Sequence, residues 1–196
     1  MAALALCLTA CSDDDDDNYP SYITNMVVVA VDATGTVSEV RLDNGTKYGV
    51  KSQGLRTEER DTLLRCMASY TIDGGDMTVT GLKHVFSDYP ITLQEVMDMF
   101  SITASEVPRH PVNLISMWKS GGYLNIQVGV MTMGVSKHAF AFCEDAPGQY
   151  SLLHLHPSGD AASYTEKVFM SMPIPEGVGA FTFSVTTYDG VVTQTF

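Results

Sequence analysis

The stretch TVSEVRLDNGTKYGV, residues 36–50, decides how the first half of the chain folds. Val37, Val40 and Leu42 stand among polar neighbours over residues 36–42, a pattern that indicates a half-buried β-strand. Asp43-Asn44-Gly45 follows, and an Asn-Gly pair accepts the positive φ angles of a type I′ hairpin turn. Tyr48 and Val50 lie on the returning strand. The stretch therefore predicts an antiparallel hairpin.

Strand-like segments lie on both sides of this hairpin. A β-branched run over residues 22–31 precedes it, and two further strands are predicted at residues 63–72 and 77–86. Five short strands in about 65 residues favour a small closed or partly closed barrel of the OB kind, because a sheet of this size would otherwise leave open edges. We therefore predict a five-stranded OB-like barrel over residues 22–87.

The pattern changes at Asp88-Tyr89-Pro90, where we place the boundary between two domains. Apolar residues then recur at the spacing of one helix face, at Leu93, Val96, Met97 and Phe100. Thr92 and Glu95 have the spacing of a capping box, in which each residue satisfies a backbone N–H of the other. The sequence therefore predicts one short helix near the junction of the domains.

The period of two returns after Pro111 and continues to the end of the chain. Seven candidate strands lie at residues 112–118, 123–132, 137–143, 150–156, 164–172, 179–188 and 191–196. Glycine- and proline-rich breaks separate them, and seven short strands at this spacing favour an antiparallel sandwich. The predicted fold is therefore mainly β: the OB-like barrel, one short helix, and an antiparallel β-sandwich over residues 88–196.

The N-terminal segment carries a signal of a different kind. Leu8-Thr9-Ala10-Cys11 ends a short apolar run and resembles a bacterial lipobox, in which the signal peptidase cuts before the cysteine and the cysteine is acylated. No Lys or Arg precedes Cys11, so residues 1–10 are expected to be the end of a signal peptide whose basic start lies upstream. The alternative is an apolar strand with a free Cys11, which conflicts with the acidic run that follows at once.

An acidic tether is predicted directly after this cysteine, over residues 11–21. Ser12 is followed by a run of aspartates, Asp13, Asp14, Asp15, Asp16 and Asp17. Like charges in a row repel each other, so the segment is expected to stay extended and solvated. Cysteine, serine and an acidic run resemble the lipoprotein export signal of Bacteroidetes, which implies a lipid-anchored outer-membrane protein that faces the cell exterior. The alternatives are a spacer on a lipoprotein that faces the periplasm and a metal-binding acidic tail.

Charge and cysteine usage narrow the possible partners. The 196 residues include 11 Lys and Arg against 23 Asp and Glu, a net charge of −12. No basic stripe is present, so we expect no nucleic-acid partner, because phosphate binding needs clustered Lys and Arg. Outside the N-terminal segment only Cys66 and Cys143 remain. Both lie in apolar, strand-like surroundings and are expected to be free buried thiols, with a disulfide between them as the alternative.

An ordered series of motifs runs through the second half of the chain. Trp118-x-x-Gly121-Gly122-Tyr123-Leu124-Asn125-Ile126 precedes Lys137-His138, and Leu152-Leu153-His154-Leu155-His156 precedes Gly159-Asp160 and Tyr164. This order is similar to that of the NigD-like lipoproteins of Bacteroidetes. The resemblance implies an N-terminal OB-like domain, a C-terminal β-sandwich and a place in the envelope. The family takes its name from a bacteriocin gene cluster, and the resemblance implies no reaction.

Histidines are the first candidates for a site. His154 and His156 are two residues apart, so on a strand they point to the same face. Together with His138 or Cys143 they could bind zinc or copper, with Asp160 orienting one imidazole. The alternative, which we favour, is that His154 and His156 are half-exposed strand residues hydrogen-bonded to the backbone. No Cys-x-x-Cys or His-Glu-x-x-His spacing is present. We therefore expect no metal and no cofactor.

Catalysis is not expected from the remaining motifs. Ser136, Ser158 and Ser163 lie near histidines in the sequence, but none has the Gly-x-Ser-x-Gly pattern of a nucleophile elbow. Thr62, in Asp61-Thr62-Leu63, resembles the Bacteroidetes site of O-glycosylation. The sequence therefore favours a protein that is not an enzyme.

Aromatic residues indicate a possible binding role. Five aromatic side chains could stack on sugar rings, although aromatic residues at strand spacing belong more often to a core; they are Trp118, Tyr123, Tyr150, Tyr164 and Tyr188. The leading hypothesis is a non-catalytic binding or envelope-assembly module whose partner is an unknown envelope protein or a glycan. The alternative is a bacteriocin-associated or immunity lipoprotein.

Overall fold

The computed structural model describes residues 22–51, 55–133, 138–156 and 164–196. The signal segment, Cys11 and the acidic run lie outside the described residues, and so does Asp160. The described chain is mainly β, as predicted, and its strands form three sheets.

The first sheet is a curled half-barrel of five antiparallel strands. They are β1 (Ile23–Val31), β2 (Val37–Leu42), β3 (Lys47–Gly49), β4 (Thr62–Asp73) and β5 (Asp76–His84), in the order β3-β2-β1-β4-β5. Alternate residues of β1, Val27 and Val29, are fully buried on the inner face with Val40 of β2 and Tyr70 of β4. The predicted small five-stranded barrel is therefore confirmed in a partly closed form.

The hairpin between β2 and β3 is confirmed, but the expected type I′ turn is wrong. Among the described residues, positive φ at positions other than glycine occurs only at Asp61 and Ser101, so Asn44 does not have the φ that a type I′ turn requires. Within this turn only Gly45 has a positive φ, of 87°, and its N–H donates to the Leu42 carbonyl. The loop is thus one residue longer than the expected one, with its glycine in the left-handed region.

The predicted helix is confirmed as α1 (Leu93–Phe100), with its capping box. The Glu95 N–H donates to Thr92 Oγ1 at 3.2 Å, and the Thr92 N–H donates to Glu95 Oε2 at 2.7 Å. The helix ends at Phe100, because Ser101 takes the left-handed conformation. No helix in the described part of the chain is long and apolar enough to cross a bilayer.

The other two sheets form the predicted sandwich. Their strands are β6 (Phe86–Ser87), β7 (Ile91–Thr92), β8 (Asn113–Ser120), β9 (Tyr123–Thr132), β10 (Ala139–Ala146), β11 (Gln149–Leu155), β12 (Tyr164–Pro173), β13 (Thr182–Thr187) and β14 (Gly190–Thr195). One sheet has the order β14-β13-β11-β10-β7 and the other β6-β12-β9-β8. All seven predicted strands are present, and buried residues of β9, β10, β11, β12 and β13 form one core.

Two short strands that the sequence did not predict enter the sandwich from the connecting segment. β6 pairs in parallel with β12, and β7 pairs in parallel with β10; β11 and β13 are also parallel. The sandwich is therefore mixed where the sequence predicted an antiparallel one. The chain that links it to the half-barrel contributes a parallel strand to each sheet, and β13 returns parallel to β11 because β12, between them in the chain, belongs to the other sheet. The domain boundary at residue 88 stays a prediction.

Candidate functional site

A buried arginine connects the half-barrel to the sandwich. Arg65 belongs to β4, and its side chain is only 1% exposed. Its Nη2 donates to Asn125 Oδ1 of β9 at 3.0 Å, and its Nε donates to Ser171 Oγ of β12 at 3.4 Å. The Ser171 hydroxyl donates to the same Asn125 oxygen at 2.7 Å. The outer face of the half-barrel is therefore joined to the four-stranded sheet through polar groups that water does not reach.

Asp43, in the hairpin turn, neutralises this buried charge. Its two carboxylate oxygens accept from Arg65 Nη1 at 2.5 Å and Nη2 at 2.9 Å, and the Ser120 hydroxyl donates to it as well. Burial raises the pKa of Asp43, but the hydrogen bonds from Arg65 and Ser120 outweigh burial, so its pKa lies below the ordinary value. A Cβ at Gly121 would come within 2.5 Å of this carboxylate, so glycine is needed there.

Tyr123, a predicted sugar-stacking residue, packs against this network. Its ring centre lies 4.3 Å from the guanidinium carbon of Arg65, which is a cation–π contact. The ring therefore already has a partner within the protein. Sequence reasoning missed Arg65, Asp43 and Asn125, because no spacing relates residues on three different strands and turns.

A cleft opens beside the network, between the half-barrel and the sandwich, with a volume of about 520 Å³. The half-barrel contributes β1, the hairpin turn and β4, and the sandwich contributes β8 and β12. The residues that line it include Asn25, Asn44, Met67, Trp118, Ser120 and Phe169. Trp118 is half-buried. The structure therefore places Trp118 at a concave surface whose lining does not include Tyr123.

Four of the five histidines of the chain gather at one end of β10 and β11. His138 Nδ1 and His154 Nε2 lie 2.8 Å apart, and their rings are stacked with centres 5.1 Å apart. The His156 ring stands edge-on to His138 at 4.9 Å. His110 Nδ1 accepts from the His156 N–H at 2.9 Å. The structure thus brings the three predicted histidines together and adds a fourth.

His110 is the member that the sequence did not reveal. It lies 44 residues from His154 and reaches the cluster through a parallel bridge between Arg109 and His154. Pairing between such distant segments leaves no pattern in the local sequence from which His110 could have been predicted. Asp160, the predicted orienting carboxylate, lies outside the described residues, and so do Ser136, Ser158 and Ser163.

The expectation that His154 is half-exposed is wrong, since it is only 2% exposed. Its ring stacks on Phe140 with centres 4.9 Å apart, and its Nδ1 lies 3.0 Å from the His110 carbonyl oxygen. Burial lowers the pKa of His154 to about 4, aided by the neighbouring histidines and opposed by the His110 carbonyl. His154 is therefore neutral at pH 7. Within the described residues, no group of three or more His, Cys, Asp or Glu side chains could hold a metal ion.

Both predicted thiols are free and buried, and they belong to different clusters. Burial raises the pKa of Cys66 to about 11, against a smaller lowering by Arg65. Burial and the Asp145 carboxylate raise the pKa of Cys143 to about 12. The prediction of two free thiols is confirmed. Thr62 is the first residue of β4 and is half-buried.

A curled half-barrel followed by a two-sheet sandwich defines the structural class of this protein. No protein-family model and no curated protein matches the sequence. Among solved structures, a NigD-like immunity protein from Bacteroides caccae shares 21% identity over 90% of this chain and 93% of that chain, with a TM-score of 0.68.

Two other solved structures are similar over the same extent. A protein from Parabacteroides distasonis described as toxin-related shares 15% identity over 90% of this chain and 92% of its own, with a TM-score of 0.73. A Bacteroides fragilis protein described as a lipoprotein shares 12% identity over 90% and 96%, with a TM-score of 0.61. At these identities the similarity shows the fold alone. The resemblance to NigD-like lipoproteins that the motif order indicated is confirmed at that level.

Proposed function

We propose that this protein is a lipid-anchored protein of the outer membrane that faces the cell exterior and acts by binding. The observation that carries the proposal is Leu8-Thr9-Ala10-Cys11, followed at once by Ser12 and five aspartates. The Bacteroides fragilis protein of the same fold, described as a lipoprotein, supports the anchoring. Each methylene buried in the bilayer contributes about 0.8 kcal/mol, so two or more acyl chains hold a protein firmly.

The tether keeps the folded part close to the membrane. Residues 12–21 form the predicted tether, and a chain of this length reaches at most ~35 Å when fully extended. An extended acidic segment of this length separates the β-sheets from the lipid headgroups while leaving them near the surface. The binding surfaces of the half-barrel and the sandwich would therefore meet other components of the envelope.

Binding is favoured over catalysis by the state of the reactive groups. Cys66 and Cys143 have raised pKa values, so neither supplies a thiolate at neutral pH. His154 uses both ring nitrogens inside the protein, one with His138 and one with the His110 carbonyl. A general base must reach the proton of an outside group, and His154 is not placed to do so.

The anchor is tested by metabolic labelling in a Bacteroides host. The full chain, expressed with its natural leader, should incorporate labelled palmitate and partition into detergent. Cys11→Ala should abolish both the label and the partitioning, whereas Cys7→Ala, which changes a residue of the cleaved segment, should leave both unchanged. A Cys11→Ala protein that is still acylated and membrane-bound would contradict the anchor.

The orientation is tested separately by digestion of intact cells. Proteinase added to whole cells should degrade the natural protein, and replacement of the five aspartates with alanine should protect it. Replacement with glutamate is the matched control, because it keeps the negative charge and should keep the protein digestible. If the alanine variant is digested as quickly as the natural protein, the acidic run is only a spacer.

A second candidate function is that of a bacteriocin-associated immunity lipoprotein. It is favoured by one observation, the description of the Bacteroides caccae protein of the same fold as a NigD-like immunity protein. Cross-linking on living cells, followed by identification of the captured partner, distinguishes the two candidates. Capture of a bacteriocin or of its export machinery favours the immunity function, whereas capture of another envelope protein or glycan favours the binding module.

A further inference from the structure

We propose that the cleft between the half-barrel and the sandwich binds a neutral oligosaccharide. This inference rests on the proposed function only for its setting, a binding module at the cell surface. Trp118 and Asn44 both line the cleft. Trp118 belongs to β8 of the sandwich, and Asn44 belongs to the hairpin turn of the half-barrel. A ligand in the cleft would contact both parts of the protein.

The apolar contact of the cleft comes from an aromatic ring. Trp118 lines the cleft and is half-buried, so part of its indole remains open to a ligand. An indole combines a broad apolar face with one N–H donor, which suits a partner that is apolar on one side and polar at its edge. The C–H face of a pyranose ring, bordered by hydroxyl groups, is such a partner. Phe169 of β12 extends the apolar surface.

The polar contact comes from the neutral amide group of Asn44. Asn44 is exposed; its Oδ1 accepts from the Thr46 N–H at 2.9 Å, and its Nδ2 makes no hydrogen bond within the described residues. Asn25 also lines the cleft, but its Nδ2 donates to the Tyr70 hydroxyl of the half-barrel core at 3.0 Å, so its side chain already has a partner. The Asn44 amide can pair with sugar hydroxyls, which both donate and accept.

The charge of the cleft selects an uncharged ligand. Among the described residues that line it there is no Lys or Arg, so a phosphate or carboxylate would find no cation. The one ionised group of the lining, Asp43, is held by Arg65 and Ser120. A cationic ligand would therefore have to compete with a buried guanidinium. A neutral polyhydroxylated molecule needs neither charge.

The size of the cleft fits a short oligosaccharide. Its volume of about 520 Å³ lies within the range of about 300–1,000 Å³ that is usual for small-molecule sites. Tyr123, another aromatic candidate, has Arg65 over its ring and lies outside this lining. Trp118 is therefore the ring on which a sugar in this cleft would stack.

The test uses the only tryptophan of the chain as its probe. The full acylated protein, purified in a detergent without a sugar headgroup, is titrated with cellotriose, maltotriose, xylotriose, mannotriose and N-acetylchitotriose, and with trigalacturonic acid as an anionic comparison. At least one neutral trisaccharide should change the fluorescence of Trp118 saturably, and trigalacturonic acid should not. Calorimetry should give the same affinity as the fluorescence titration.

Variants establish where the sugar binds. Trp118→Ala, measured by calorimetry, should weaken binding about tenfold or more through loss of the stacking surface. Asn44→Ala changes an exposed turn residue, so the protein should stay folded, and it should weaken binding by roughly three- to tenfold. Tyr188→Ala removes an exposed aromatic ring that does not line the cleft and should leave the affinity unchanged.

Two results would overturn the inference. One is the absence of a saturable response to all five neutral trisaccharides at millimolar concentration. The other is binding that Asn44→Ala and Trp118→Ala leave unchanged. Neither result affects the anchor, because acylation and digestion of whole cells are read out independently. Conversely, a failure of acylation in those experiments would not contradict sugar binding that the titration of the purified protein had shown.

Discussion

Replacing Arg65 with alanine is expected to lower the free energy of unfolding by about 3–4 kcal/mol. Removing one partner of a buried ion pair costs about 3–5 kcal/mol, because the remaining groups stay buried without compensation. Asn125 and Ser171 are fully buried and each loses a donor. Asp43 is 21% exposed and keeps the Ser120 hydroxyl, so it can regain water. The loss should therefore lie in the lower part of that range.

The assay is urea unfolding, followed by far-ultraviolet circular dichroism and by the fluorescence of Trp118. In a chain of 196 residues each kcal/mol lowers the melting temperature by about 2–4 °C, so Arg65→Ala should melt roughly 10 °C lower. A double-mutant cycle with Asp43→Ala should show a coupling energy of at least about 1 kcal/mol, since the two side chains are in direct contact.

Lys51→Ala is the matched control. Lys51 and Asp76 form an ion pair at 2.8 Å, but the side chains are 59% and 49% exposed, so water screens the pair and its loss should lower the stability far less than the loss of Arg65 does. The reasoning fails if Arg65→Ala and Lys51→Ala lose the same stability. In that case the buried network would contribute nothing to holding the half-barrel on the sandwich.

Acid should destabilise the protein through His154, whose folded pKa of about 4 lies below the ordinary 6.5. The unfolded chain binds the proton first, so stability should fall by roughly 3 kcal/mol at most as the pH drops from about 6.5 to about 4. Urea midpoints at about pH 7 and about pH 4.5 should show this loss, and His154→Gln should reduce it; an unchanged natural midpoint would contradict it. Gly121→Ala should lower the melting temperature more than Gly122→Ala, because both glycines have positive φ but only a Cβ at 121 meets a neighbouring side chain; equal losses would show that the contact is harmless. Cys66 and Cys143 should react with a thiol reagent at neutral pH only as the protein unfolds, so rapid labelling of the native protein would refute their burial.

Local patterns were sufficient for most elements of the fold. The helix face and the capping box at Thr92 and Glu95 predicted α1 and its start, because each depends on residues within two turns of one another. The turn at Asn44 shows the limit of such patterns. Asn-Gly suits both two-residue and three-residue loops, and the pairing of Arg41 with Lys47 selected the longer one.

The parallel pairs that β6 and β7 make in the sandwich could not be predicted from the sequence for a related reason. β6 and β7 have two residues each, and so short a segment has no period that could be recognised. They become strands because the neighbouring strands β12 and β10 offer free edges to the connecting segment. Pairing, rather than propensity, determines their conformation.

The sequence by itself determined the class of the fold and the helix, because each depends on patterns among neighbouring residues. Only the tertiary structure decided which polar side chains meet. Arg65 reaches Asn125 across 60 residues, and His110 reaches His154 across 44. Strand pairing and sheet packing create these contacts, and neither process leaves a spacing in the chain from which the partner could be named.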